Sequence, residues 1–173
     1  MSNNIKKAKS NNKNKCSRCL RSTEPDQIYM IDDKPVCSIC LYEKATPFNI
    51  YPIGLIKNDL ELAKTGFGTL GKKGVSCIEL LNSQKPFLYK LEDEKRITIV
   101  YYLHEAKNVR SVFNRGLDSK KVGVFASRTP YRLSKIAIQD VRLIKIEGSK
   151  LFVEGLDAIN DSPVLDIKMS WYT

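Results

Sequence analysis

Four of the five cysteines in this 173-residue chain fall into two pairs with the same spacing, Cys16 with Cys19 and Cys37 with Cys40. A thiolate is a soft donor, and each Cys-x-x-Cys turn can present two sulfurs to one tetrahedral zinc ion. The intervening LRSTEPDQIYMIDDKPV has the length of a loop or short hairpin, and the spacing fits a zinc ribbon. After Pro35, CSICLYEKA reads as a second knuckle that opens a short helix, ended by Pro47. Residues 16–46 are too few to build a self-sufficient apolar core, so a metal must supply the missing stability. The fifth cysteine, Cys77, lies in the apolar run GVSCIELL and reads as a buried free thiol.

Other chemistry-bearing residues are sparse. His104 is the single histidine, and the chain has no GxGxxG, P-loop, nucleophile elbow or HExxH. Arg128 and Arg132 stand four apart around Pro130, a spacing at which two guanidinium groups can hold a carboxylate or phosphate; the alternative is an exposed or structural pair. Asp157, Asp161 and Asp166 surround a turn at Ser162 and Pro163. A carboxylate there can take an amine or ribose hydroxyls, or form an Asx turn and an ion pair with Lys168. Arg110, Arg115, Lys120 and Lys121 form a candidate phosphate-tracking surface, together with the cysteine module and the N-terminal lysines.

Strands must position these groups. Over residues 47–173 the signals are mainly β: IYPIGLIK, GVSCIELL, RITIVYYLH, KVGVFAS, KIAIQDVRLIKIEG, KLFVEGL and SPVLDIK are short β-branched runs bounded by turn residues. In RITIVYYL, Ile97, Ile99, Tyr101 and Leu103 share one face; in VRLIKI, Val141, Leu143 and Lys145 oppose Arg142, Ile144 and Ile146. EGSK predicts a hairpin turn with positive φ at Gly148. Gly123 offers close backbone approach. Residues 57–66 and 105–115 read as loop or short helix. The fold expected is a compact barrel or strongly curved sheet behind a small metal module.

Composition limits the rest. Hydrophobic residues make up 42% and the formal net charge is +10. No apolar run is long enough for a membrane helix. Residues 1–15, MSNNIKKAKSNNKNK, read as a flexible basic tail without the apolar stretch of a secretory signal. Excess positive charge favours a polyanionic partner such as RNA, although lysines outnumber arginines 21 to 8, which also fits an AT-rich genome. Cysteine usage points to a reducing, cytoplasmic compartment.

VGVFASRTPYR (residues 122–132) followed by VEGLDAINDSPVLDIK (residues 153–168) resembles the TsaA-like family, which includes S-adenosylmethionine-dependent enzymes that methylate the exocyclic amine of threonylcarbamoyladenosine beside the tRNA anticodon. YPIGLIK and IELL…YKLEDEKRITIVYYLH extend the resemblance forward, so that it covers roughly residues 50–170. It implies a barrel-like domain, a homodimer through that domain with cofactor near the subunit boundary, and a tRNA substrate. It also implies a cofactor pocket built from His104, Arg128, Arg132, Asp157, Asp161, Ser162, Pro163, Val164, Leu165, Asp166 and Lys168. One loop departs from the pattern. Where the family has Pro-Asn-Pro-Ile-Gly-Leu-Ser, this chain has Leu133, Ser134, Lys135, Ile136, Ala137, Ile138 and Gln139, with Ala137 in place of a glycine; beyond Lys168, Met169 and Ser170 replace Pro-Tyr. Three readings follow: a methyltransferase with an altered pocket, a homologue that has lost catalysis and binds RNA or nucleotide, or a scaffold whose zinc module does the recognition.

Overall fold

The computed structural model describes residues 15–62, 69–70 and 74–171. The expected basic tail therefore lies outside the described residues, apart from Lys15. The chain divides into two compact units, Met1–Pro47 and Phe48–Thr173.

In the first unit, β1 (Ile28–Ile31) and β2 (Lys34–Cys37) form an antiparallel hairpin, followed by α1 (Ser38–Tyr42). Asp32 and Asp33 both take positive φ between the strands, as a tight two-residue hairpin turn of this hand requires. The buried apolar residues are Cys16, Ile31, Val36 and Cys37, and Tyr29 meets Tyr42 edge-on at 5.5 Å.

The second unit is mainly β. Six strands close into an antiparallel barrel: β3 (Gly54–Lys57), β6 (Val75–Leu80), β7 (Arg96–Tyr102), β10 (Ile136–Glu147), β11 (Lys150–Glu154) and β12 (Pro163–Met169). Their order around the barrel is β10-β11-β6-β3-β12-β7. Closure pairs every strand on both sides and leaves no open edge. Two small hairpins project from it, β4 (Glu61–Leu62) with β5 (Thr69–Leu70), and β8 (Val112–Asn114) with β9 (Lys121–Gly123).

Alternation fills the barrel interior. Ile97, Ile99 and Tyr101 are buried as the period of β7 requires, and they join Ile56, Ile78, Val141, Leu151, Val153 and Val164 in one core. Gly148 has φ +65° in the β10–β11 turn, as EGSK predicts. β3 crosses β6 so closely at Gly54 that a Cβ there would lie 2.5 Å from the Glu79 carbonyl oxygen.

Several local expectations differ from the structure. The alternation in VRLIKI breaks because the β10–β11 register shifts between Leu143 and Lys145. A bulge adds a residue and exchanges the two faces, so Ile146 packs against the core and Lys145 stays exposed. Of the stretches read as loop or short helix, residues 57, 61–62 and 112–114 are strand, and the other described residues are loop, as one of the two alternatives has it. KVGVFAS is strand only to Gly123, and Val124–Ala126 is a 3-10 turn. A Cβ on Gly123 would meet nothing closer than 3.9 Å, so that glycine is not required by close approach. Ala137 lies in β10 opposite Tyr101, where alanine is unstrained; the left-handed residue of the altered loop is Lys135, at φ +53°.

Candidate functional site

Cys16, Cys19, Cys37 and Cys40 come together with all four Sγ atoms within 4.8 Å of one another. The Cys19 and Cys37 sulfurs are 3.8 Å apart, matching the tetrahedral edge of about 3.8 Å that Zn–S bonds near 2.3 Å require. Local folding builds the first knuckle. The Leu20 N–H donates to the Cys16 carbonyl, and Leu20 itself turns left-handed at φ +62°. Backbone N–H groups of Cys19, Cys37 and Arg18 aim at the Cys16 sulfur and bring its pKa down to about 6. Neighbouring sulfurs, Cys19 first, and burial push the Cys40 thiol up to about 12. One proton leaves such a cluster readily and the last resists until a cation compensates the accumulated charge. Donor set, spacing and N–H···S bonds fit a structural zinc ion.

A second site lies at one end of the barrel. A cleft of about 560 Å³ is lined by Tyr101, Leu103, Arg128, Thr129, Arg132, Ile136, Ala137, Ile138, Gln139 and Asp157. The Arg128–Arg132 segment is held by its own hydrogen bonds and by the β8–β9 hairpin. Ser127 Oγ donates to the Val124 carbonyl at 2.9 Å, the Arg110 N–H donates to the Tyr131 carbonyl, and Phe113 meets Tyr131 edge-on at 5.7 Å. The two arginines differ. Arg132 donates through Nη2 to the Ser127 and Val124 carbonyls, so it braces the loop. Arg128 has no such bond among the described residues and is exposed at the cleft. Burial pushes the Tyr101 hydroxyl up to about 12, so it remains a neutral donor; it reaches the Asp157 carbonyl at 3.4 Å.

Of the residues implied by the resemblance, Arg128, Arg132 and Asp157 line this cleft. The others are placed around it differently. His104 Nδ1 is 3.4 Å from Ser162 Oγ, and Ser162 is fully buried. Asp161, left-handed at φ +63°, pairs with Lys57. Pro163 and Val164 pair with Leu55 and Gly54, and Val164 belongs to the core. Leu165 sits at a register shift in β12, and Asp166 pairs with Lys168 at 2.5 Å. Among the basic candidates, Arg115 makes a two-point contact with Asp118, with Nε–Oδ1 3.0 Å and Nη2–Oδ2 2.6 Å. Lys120 lies 3.8 Å from the same carboxylate, and Lys121 is exposed on β9.

The residue reading missed Asn58 and Gln139. The Asn58 side chain accepts from the Leu60 N–H and donates to the Ala158 carbonyl and Ser76 Oγ, anchoring the loop before β12. Its Asx turn was readable in KNDL, since an asparagine after a strand commonly bonds the N–H two residues on. Gln139 carries no comparable local signal, because its partners lie 16 and 18 residues away.

A family model described as the tRNA-methyltransferase O N-terminal domain matches residues 67–172, more than half of the chain. The chain belongs to that family. An S-adenosyl-L-methionine-binding protein of Archaeoglobus fulgidus is 29% identical over 119 residues, 68% of this chain and 85% of that protein. A tRNA (adenine(37)-N6)-methyltransferase of Homo sapiens is 32% identical over 92 residues, 51% of this chain but 21% of the human protein. A crystal structure of TrmO from Pseudomonas aeruginosa superposes with a TM-score of 0.55 at 25% identity, over 72% of this chain and 56% of that one. The chain thus spans little more than half of the Pseudomonas protein and about a fifth of the human one.

Proposed function

We propose that this chain is an S-adenosyl-L-methionine-dependent methyltransferase that acts on the exocyclic amine of a modified adenosine beside the tRNA anticodon. The observation that carries the reading is the barrel-end cleft, where Arg128, Arg132 and Asp157 share apolar walls with Leu103, Ile136 and Ala137. Its volume is that of a small-molecule site. The names of the relatives, an S-adenosyl-L-methionine-binding protein and a tRNA adenine methyltransferase, support the same choice.

S-adenosyl-L-methionine, held among Arg128, Arg132 and Asp157, would supply an electrophilic methyl group on its sulfonium to the amine and leave as a thioether, with the amine proton passing to solvent. The chain's part is positioning and exclusion of water. Arg128 offers a guanidinium to an anionic group, Arg132 holds the loop that carries it, and the apolar wall limits hydration. Tyr101 stays protonated and fixes the Asp157 backbone. The same reading takes zinc at the four cysteines, tRNA as partner, a second copy of the barrel beside the cleft, and a cytoplasmic compartment.

Calorimetry with S-adenosyl-L-methionine and mass spectrometry of tRNA nucleosides from cells lacking the gene test the proposal. Binding by the wild type and loss of one N6-methylated adenosine are expected. Absence of binding defeats the reading. Arg128→Gln weakens binding about tenfold, the equivalent of about 1.4 kcal/mol, with unchanged thermal stability. Arg132→Gln weakens binding and also speeds amide exchange over residues 124–132.

A further inference from the structure

Gln139 stands on the interior face of β10, opposite the buried Ile99, and lines the cleft. Its side chain crosses to the segment that follows β11. Nε2 donates to the Gly155 carbonyl at 2.6 Å, and Oε1 accepts from the Asp157 N–H at 2.9 Å. One amide therefore closes a two-point clamp on Gly155–Asp157. Only a side chain with a donor and an acceptor at this reach can make both bonds at once. The Asp157 carbonyl takes the Tyr101 hydroxyl from the other direction. Asp157 is thus fixed at its N–H by one cleft wall and at its C=O by another. Leu156 is buried in the core and anchors the middle of the segment, while Gly155 has φ +90° and no neighbouring atom within 4 Å of an added Cβ, so the clamp orients the two backbone groups that flank Leu156.

We infer that Gln139 is a positioning residue, which sets the place of Asp157 in the cleft and through it the cleft's affinity for a ligand carrying a hydroxyl or cationic nitrogen. The use of that position by S-adenosyl-L-methionine rests on the function proposed above; the clamp itself does not. Both amide bonds of Gln139 go to backbone atoms on either side of Leu156, so it acts on the cleft through Asp157 as well as through its own place in the lining.

The full-length protein tests this with two readouts. Gln139→Met keeps the side-chain length and removes both bonds. In the absence of ligand, the Asp157 amide is expected to exchange about tenfold faster, the loss corresponding to one or two hydrogen bonds, while the Ile97 and Ile99 amides keep their rates. With S-adenosyl-L-methionine, Kd rises about five- to tenfold, while thermal stability falls by no more than the loss of one or two hydrogen bonds allows. Gln139→Glu retains the acceptor but loses the donor when ionised. Its affinity deficit relative to the wild type shrinks as pH falls and the protonated carboxyl again donates to Gly155. A role confined to fold stability would show the recovery in thermal stability and none in affinity. Unchanged Asp157 exchange, or faster exchange spread equally over the barrel, overturns the inference, as does unchanged Kd in Gln139→Met when the wild type binds. Failure of the wild type to bind defeats the methyl-donor reading, and the exchange result then decides the clamp alone.

Discussion

The cysteine module and the barrel use different means to hold an irregular chain. Within residues 15–47, four non-glycine residues take positive φ: Leu20, Asp32, Asp33 and Glu43. The apolar core behind them is Ile31, Val36 and two cysteines. Among its described residues the barrel unit has four too, Lys90, Ser119, Lys135 and Asp161, but spread over a far longer chain, outside its strands, and beside a core of thirteen buried residues. Left-handed backbone costs about 1–2 kcal/mol for an ordinary L-residue. A small module has little burial to offset that, so a metal at the four cysteines would have to supply the difference; the barrel has its core.

Charge separates them as well. Residues 15–47 contain five basic and five acidic side chains, and a zinc ion on four thiolates adds about −2. Residues 48–173 carry twenty basic against fourteen acidic. The excess positive charge therefore lies in the barrel unit and in the lysines preceding Cys16, while residues 15–47 are balanced.

The largest test of the contrast is metal removal. Structural zinc in small modules contributes about 10–16 kcal/mol of apparent binding free energy. A strong chelator should abolish amide protection at Ile31 and Val36 and leave the barrel amides of Ile97, Ile99 and Val153 protected. Loss of both sets together would show that the units do not fold independently.

Gly54→Ala strikes the other unit. The added Cβ would sit 2.5 Å from the Glu79 carbonyl and 2.9 Å from the Leu80 Cα, backbone atoms that move only with β6. A destabilisation of about 1–3 kcal/mol is expected in urea unfolding of the barrel, with zinc affinity unchanged.

Leu20→Gly reverses the sign. Leu20 is 66% exposed, so little burial is lost, and its positive φ suits glycine. Relief of left-handed strain, partly cancelled by glycine's greater freedom when unfolded, should strengthen zinc binding by roughly threefold to fivefold, or about 1 kcal/mol or less. The barrel's unfolding should not change.

What the sequence made readable follows the range of each interaction. The cysteine spacing and the alternation of Ile97, Ile99 and Tyr101 are local patterns, and both appear in the structure as read. The bulge after Leu143 is set by pairing with β11, so alternation within β10 alone could not place Ile146 inward. At the cleft, Arg128, Arg132 and Asp157 were reached through charge and family resemblance. Their division of labour was not, because two arginines four apart look alike until one is seen bonding to the carbonyls of its own loop. Gln139 was legible only as a departure from the family pattern; its function depends on a contact across the barrel mouth.

The smallest expected effect is electrostatic and confined to the β8–β9 hairpin. Asp118 joins Arg115 and Lys120 across the loop between the strands, and the Arg115 guanidinium holds its carboxyl below the usual carboxylate range. Because the folded value is the lower one, the contribution to hairpin order is fully present above the unfolded carboxyl's titration and is lost as pH falls through the folded value. Exposure to solvent keeps the effect modest. Acidification should therefore lower the protection factors of the Ser119 and Arg115 amides, which close this loop, before it lowers those of the barrel strands. Asp118→Asn should produce that state at neutral pH. It should also free the Arg115 guanidinium for phosphate, so that if the barrel is the polyanion-binding unit, the variant binds tRNA more tightly with a steeper salt dependence. Equal tRNA affinity and equal salt dependence in the two proteins would remove Arg115 from the contact surface and leave Lys120 and Lys121 as its candidates on this hairpin.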